Sequence, residues 1–86
     1  CIVELNGMYE FGNGGGYITP GQTRFSSDNN CEGTVIYANP QTGTTFSAVS
    51  VRVELDNCCC VPTTGSGNTI YGSNNPTSEN FTINTS

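Results

Sequence analysis

The chain has 86 residues, with two arginines, no lysine or histidine, and seven acidic residues, which gives a formal net charge of −5. Phosphate contact needs clustered cations, so this composition predicts neither a nucleic-acid partner nor binding to an anionic membrane surface. No run approaches the roughly 18 apolar residues of a membrane-spanning helix, so no membrane span is predicted. About half of the chain is Asn, Thr, Ser and Gly, a composition typical of extracellular and virion surfaces rather than of cytosolic enzymes.

The first half of the chain predicts short strands joined by turns. Asn6-Gly7 is a strong hairpin dipeptide, and Pro20-Gly21 fits a type II turn because proline presets φ and glycine accepts a positive φ. The glycine-rich stretch 12–16 predicts a flexible loop. The extended patterns between the turns predict strands at residues 1–5, 8–11, 17–19, 23–26 and 33–38.

The clearest predicted strand lies within residues 44–56. Its apolar residues recur at every second position from Val49 to Leu55 and alternate with polar residues from Ser50 to Asp56. A period of two predicts one buried and one solvated face. Phe46 and Ala48 lie on the opposite parity, which predicts a β-bulge near residues 47–48. Further strands are expected at residues 68–72 and 80–84.

These elements predict an all-β domain over residues 1–86. About seven short antiparallel strands with polar turns predict a small antiparallel β-sandwich or jelly roll, with a small closed barrel as the main alternative. Residues 74–86 are expected to be a docking tail or an edge strand, on this sheet or on a neighbour's. A chain this short buries only ~60% of its unfolded surface, so disulfides, a partner subunit, or both are expected to stabilise it.

The five cysteines are Cys1, Cys31 and the adjacent triplet Cys58, Cys59 and Cys60. If the preceding strand continued, its parity would turn Cys59 toward the apolar face and its two neighbours toward the polar face. Bonds between neighbouring cysteines are strained, so the partners must be Cys1, Cys31 or another chain, and Cys31–Cys59 is one internal pair that this parity favours. An odd count predicts an intermolecular disulfide or a free thiol, and we favour the disulfide.

Other chemistries receive little support. Three thiols on alternating faces do not converge on one metal ion, and C-x-x-C is absent, so no metal or redox site is predicted. Glu54 and Asp56 lie about 7 Å apart by strand geometry, a spacing that glycosidases use, but the pair is interpreted as a solvated face beside Arg52. The oxygen-rich residues 28–32 predict a capped turn rather than a Ca²⁺ loop. Because no histidine or lysine is present to activate a nucleophile, we predict no enzyme and no cofactor.

Several features bear on the protein's surface. Asn80-Phe81-Thr82 and Asn84-Thr85-Ser86 match N-glycosylation acceptors, which would matter in a glycosylating host. Cys1 matches the acylated first cysteine of mature bacterial lipoproteins and would then anchor the chain to a surface, although the strand pattern that follows at once favours another role. A sugar- or protein-binding surface could be formed by the loops 12–16 and 65–75 and by the tyrosines Tyr9, Tyr17, Tyr37 and Tyr71.

Residues 18–25 (ITPGQTRF) resemble a strand–turn–strand motif of Ig-like and jelly-roll β-sandwich proteins, and also a segment of endospore appendage subunits. That resemblance implies helical fibres built by sheet augmentation between subunits and locked by disulfides from an N-terminal arm, with Cys1 at the matching position. Residues 57–64 (NCCCVPTT) resemble cysteine-run and threonine-run segments of some bacterial and phage structural proteins.

We therefore expect a structural subunit of an extracellular filament, appendage or virion. It would bind copies of itself by edge-strand pairing and by intersubunit disulfides, because unpaired sheet edges template a neighbouring strand. The alternative is a secreted binding module for carbohydrate or protein. A small disulfide-rich toxin or effector is a third hypothesis, but such chains usually carry more cysteine and more cations.

Overall fold

Antiparallel strands form a closed β-barrel in the computed structural model, which describes residues 1–11, 16–42, 46–72 and 75–84. The described residues contain no helix. Around the barrel the strands run in the order β1-β4-β3-β2-β5-β6, and β6 returns to β1. The strands within the described ranges are β1 (Ile2–Glu10), β2 (Thr23–Ser26), β3 (Glu32–Asn39), β4 (Phe46–Leu55), β5 (Gly65–Gly72) and β6 (Asn75–Ile83).

The all-β, antiparallel prediction is confirmed, whereas the predicted sandwich or jelly roll of about seven strands is wrong. The closure comes from β6, which pairs with β5 on one side and with β1 on the other through Gly7↔Ile83 and Met8↔Thr82. The described part of the predicted tail 74–86 is therefore a strand of this chain's own barrel. It occupies the position between the first and the fifth strand that a sandwich would leave open.

Gly7 is the reason that β1 and β6 can meet. A Cβ atom on Gly7 would lie 2.6 Å from Cε1 of the Phe81 ring and would also collide with the Thr82 carbonyl oxygen. The prediction of a hairpin at Asn6-Gly7 is accordingly wrong, because β1 runs straight through this dipeptide. Glycine within a strand marks a close approach of another backbone here, rather than a turn.

The core is filled by the inward-facing side chains of the strands. In β4, Val49, Val51, Val53 and Leu55 are buried and alternate with Arg52 and Glu54, which are exposed, as the period-two pattern predicts. Aromatic rings fill the space between the strands: Phe25 and Phe81 meet edge to face at 6.5 Å, and Tyr9 and Phe11 at 4.9 Å. Such perpendicular pairs add roughly 0.5–1.5 kcal/mol each beyond the burial of their area.

A β-bulge interrupts β3 rather than β4. Strand β4 pairs with β1 without interruption as far as Glu10↔Phe46, so the bulge predicted near residues 47–48 is absent from this pairing. The register of β3 against β4 instead shifts between Val35 and Tyr37. The extra residue, Ile36, leaves Ile36 and Tyr37 both on the outer surface, and Phe46 is simply an exposed residue at the start of its strand.

The predicted turns between the strands are largely confirmed. Pro20-Gly21 forms a type II turn, with a φ of +87° at Gly21 and a hydrogen bond of 3.1 Å from the Gln22 amide to the Thr19 carbonyl. Residues 27–30 form a turn closed by the Asn30 amide on the Ser27 carbonyl, 2.9 Å away. The loop prediction at 12–16 lies outside the described residues except for Gly16.

The predicted strand at residues 17–19 is not a strand, because a side chain supplies its pairing. The Gln41 carboxamide accepts a hydrogen bond from the Ile18 amide (2.6 Å) and donates one to the Ile18 carbonyl (2.7 Å). It thus satisfies both polar backbone groups of a residue whose side chain is buried in the core. A single glutamine here replaces a neighbouring strand.

Candidate functional site

The cysteines converge at one end of the barrel because of how β4 is paired. Strand β4 lies between β1 and β3 and runs antiparallel to both. Cys1 and Cys31 each come immediately before one of these neighbours, so they flank the chain where it leaves β4. The Leu55 amide donates to the Cys1 carbonyl (3.0 Å), and the Asp56 amide donates to the Glu32 carbonyl (2.9 Å).

The triplet lies in a tight turn, the cysteine turn (residues 57–60). The Asn57 side chain accepts a hydrogen bond from the Cys59 amide at 2.9 Å, which is an Asx turn, and the Asn57 carbonyl accepts one from the Cys60 amide at 3.4 Å. This geometry sends the first and third thiols to opposite sides. Cys58 bonds Cys1 and Cys60 bonds Cys31, with Cα–Cα separations of 5.7 and 5.6 Å.

Cys59 is the free cysteine of the described chain, and its side chain is exposed. The predicted inward direction of Cys59 and its pairing with Cys31 are therefore wrong. The parity argument fails because β4 ends at Leu55, four residues before Cys59. The prediction that neighbouring cysteines do not bond each other agrees with the structure, since each disulfide joins the cysteine turn to the residue immediately before another strand.

The chain on the far side of the cysteine turn is held as firmly as the turn itself. Asn29 donates to the Val61 carbonyl (2.8 Å), and the Thr63 amide donates to the Ser27 hydroxyl (2.8 Å). Asn68 is fully buried and donates to the carbonyls of Thr63 (3.1 Å) and Gly65 (3.0 Å). Buried polar groups that are all paired make a segment rigid, so these bonds hold in place the chain that follows the cysteine turn.

Arg24 adds an ionic contact to the same end. Its guanidinium donates to both carboxylate oxygens of Asp56 and lies 3.7 Å from Glu32, while Nη1 also donates to the Thr34 hydroxyl (2.8 Å). The hydrogen bonds from Arg24 lower the pKa of the Asp56 carboxyl below its ordinary value, and the pKa of Arg24 is raised in turn. Arg24 therefore ties β2 to the residue that precedes the cysteine turn.

The other candidate residues are scattered. Asp56, the candidate carboxylate partner of Glu54, forms an ion pair with Arg24. Within the described ranges no three Cys, Asp, Glu or His side chains come together as a metal site. The tyrosines form no common platform, since Tyr9 is buried while Tyr17, Tyr37 and Tyr71 are at least partly exposed. Of the loop 65–75, residues 65–72 belong to β5. The glycosylation candidates Asn80 and Asn84 are both exposed, in β6 and just after it.

Sequence reasoning missed two features of this site. One is the Asx turn, for which the signal is an asparagine two residues before Cys59. The other is the network of Ser27, Thr63 and Asn68, which joins residues far apart in the sequence and leaves no local signal.

No protein-family model, no curated protein and no solved structure matches the chain. In the part of the chain that the structure describes, no helix is long and apolar enough to cross a membrane. The two disulfides are compatible with an extracellular location, because disulfides persist in oxidising compartments.

Proposed function

We propose that the protein is a structural subunit of an extracellular or surface-exposed assembly, and that Cys59 joins it covalently to a second copy. The observation that carries this proposal is the exposed thiol of Cys59, fixed between two cysteines that are both engaged inside the chain. A thiol held away from every internal partner on a rigid turn is placed for a bond to another molecule.

Exposed apolar side chains accompany this thiol. Val61, two residues beyond Cys59, is 77% exposed, and Ile2, next to Cys1, is 57% exposed. In a dimer about a two-fold axis the same patch of each copy meets its counterpart, so these residues would be covered together with the disulfide. Burying one such side chain contributes roughly 1.5–3 kcal/mol, which would bring the thiols together before they react.

One free thiol per chain limits the covalent unit to a dimer. A filament, appendage or virion therefore needs a second, non-covalent contact between dimers. The edge-pairing hypothesis places this contact at the part of β1 that β6 leaves unpaired. Strand β6 pairs with β1 only at Gly7 and Met8 within the described residues, and the Asn84 amide then bonds the Asn6 carbonyl. Backbone groups alternate between the two sides of a strand. The amide and carbonyl groups of Ile2 and Glu4 therefore point to the same side of β1 as those of Asn6, but beyond the residues that pair with β6. This short edge is the proposed contact between dimers.

The bond forms by thiol–disulfide exchange with a small disulfide oxidant such as oxidised glutathione. The thiolate of Cys59 attacks one sulfur of the oxidant, gives a mixed disulfide and releases one glutathione thiolate. The Cys59 thiolate of a second copy then attacks the protein sulfur of that mixed disulfide, releases the second glutathione, and leaves one intersubunit disulfide. Two protein thiols are oxidised and one oxidant disulfide is reduced.

The test is the mass of the intact, oxidised chain after incubation with oxidised glutathione, measured on non-reducing gels and by mass spectrometry. We expect a species of twice the monomer mass of 9.1 kDa that returns to monomer on reduction. C59S should remain monomeric. V61S keeps the thiol and should form the same dimer more slowly, which separates the covalent step from the apolar contact.

A wild-type chain that stays monomeric while Cys59 remains alkylatable would contradict the proposal and favour the binding-module hypothesis. A ladder of higher oligomers in C59S would also contradict it, because the cross-links would then come from the four cysteines that are paired internally. Imaging of the dimer for filaments tests the second contact separately.

A further inference from the structure

A cleft of about 270 Å³ opens on the outer surface beside the middle of β1 and β4 and the C-terminal ends of β3 and β6. Strand pairing places Asn6, Ser50 and Asn39 in one row across β1, β4 and β3. Asn84 extends this row, since its amide bonds the Asn6 carbonyl at 2.9 Å. All four of these polar residues line the cleft, and Ala48 and Pro40 contribute apolar surface to it.

The polar groups in this cleft are free to bind. Among the described residues, no hydrogen bond engages the side-chain carboxamides of Asn6, Asn39 or Asn84. The Ser50 hydroxyl donates to the Glu4 carboxylate at 3.2 Å and keeps its acceptor lone pairs. A carboxamide offers two donors and one acceptor oxygen, so three of them in one cleft present both kinds of hydrogen-bonding group to a ligand.

The charges around the cleft disfavour an anionic ligand. Among the described residues, no charged residue lines it, and the Glu4 carboxylate contacts Ser50 at its edge. Arg52, which faces Glu4 across the β1–β4 pair, has its guanidinium stacked over the Tyr37 ring, 4.3 Å from the ring centre. A phosphate or an acidic sugar in the cleft would therefore lie near the Glu4 carboxylate, and no described lining residue would supply a cation to bind it.

We propose that this cleft binds a single sugar residue of a neutral glycan. Hydroxyl groups both donate and accept, as carboxamides do, and the C–H face of a sugar ring suits apolar surface such as Ala48 and Pro40. Ligand pockets for drug-sized molecules are typically about 300–1,000 Å³, so a cleft slightly below that range fits one ring rather than a chain. The protein then recognises carbohydrate several residues along β4 from the cysteine turn.

The experiment is an NMR titration of the full oxidised chain, made in a host that does not N-glycosylate, with the methyl glycosides of glucose, galactose, mannose and N-acetylglucosamine. We expect at least one glycoside to cause saturable shifts in the backbone or side-chain amide signals of Asn6, Asn39, Ser50 and Asn84. N39A should weaken this binding about fivefold, as expected for one lost hydrogen bond.

N80A is the matched control, because Asn80 is an exposed asparagine of the same barrel that does not line the cleft. It should bind as the wild type does. The proposal is overturned if none of the four glycosides gives saturable shifts at the cleft, or if N80A weakens binding as much as N39A does. Shifts at the same residues that depend on protein concentration alone would identify a second copy as the occupant and would overturn it as well.

Discussion

Cys31 and Cys60 form a disulfide that is part of the hydrophobic core. Cys31 has no exposed surface, and half-buried Cys60 packs against the core cluster. The other disulfide, Cys1–Cys58, joins two exposed residues. The two bonds leave the same turn, but one of them is also a packing element.

We predict that C31A/C60A destabilises the protein more than C1A/C58A does. Loop entropy alone gives the opposite order: the sequence separations are 29 and 57 residues, and doubling a loop adds only about 0.6 kcal/mol. Removing the buried sulfurs costs about 1–2 kcal/mol more through lost burial and a cavity. Denaturant unfolding in a C59S background, which prevents disulfide exchange, measures both variants. A larger loss in C1A/C58A would show that loop closure outweighs packing.

The sequence was sufficient where a strand's environment repeats along it. The alternation from Val49 to Leu55 predicts the burial of each of these residues. This works because β4 lies between β1 and β3 in the barrel wall, so one of its faces is turned to the core along this whole stretch and the other to solvent. The Pro20-Gly21 turn was equally predictable, since its φ values follow from the two residue types alone. The sequence also identified the cysteines as candidates for disulfide bonds, and four of the five form them inside the chain.

Barrel closure and thiol direction could not be predicted in this way. Asn6-Gly7 has the local signature of a hairpin, and only the approach of Phe81, more than seventy residues later, makes it a strand interior. Strand parity could not be extended to Cys59, because β4 ends at Leu55 and the Asn57 side chain then holds the next residues in an Asx turn. In the first case a contact distant in sequence decides the conformation, and in the second a local side-chain hydrogen bond overrides the strand pattern.

We predict that G7A opens the seam between β1 and β6. The new methyl group collides with the ring of Phe81 and the carbonyl of Thr82, and overpacking of this kind costs about 1–3 kcal/mol. Hydrogen exchange should accelerate at the amides of Thr82 and Asn84. G21A is the control, because its Cβ meets open space and only the φ of +87° is unfavourable; it should destabilise the chain without accelerating exchange at the seam. Unchanged seam protection in G7A would contradict this account of closure.

We predict that Q41A lowers the free energy of unfolding by about 1–3 kcal/mol, the cost of leaving a buried polar group unpaired. It removes the partner of both the Ile18 amide and the Ile18 carbonyl. Q41E is the sharper variant: as a carboxylate it still accepts from the amide but cannot donate to the carbonyl. When protonated it can do both. Its stability relative to wild type should therefore improve as the pH falls through the pKa of the new glutamate. Equal deficits at pH 7 and pH 3 would show that Gln41 acts by shape alone.

We predict that the Asp56–Arg24 contact stabilises the fold above about pH 4 and is lost below it. The hydrogen bonds from Arg24 place the folded-state pKa of Asp56 below its ordinary value of 3.8. As the pH falls, the unfolded chain therefore binds this proton first, so the stabilisation is present above 3.8 and disappears as the pH passes through the folded-state pKa.

Carboxyl NMR should give a titration midpoint for Asp56 below 3.8 in the wild type. R24Q should raise that midpoint, and 1 M salt should raise it partly, because a Debye length of about 3 Å screens the charge but leaves the hydrogen bonds. A midpoint that R24Q does not move would show that Arg24 does not lower the pKa of Asp56, and would contradict the role of Arg24 in tying β2 to the residue before the cysteine turn.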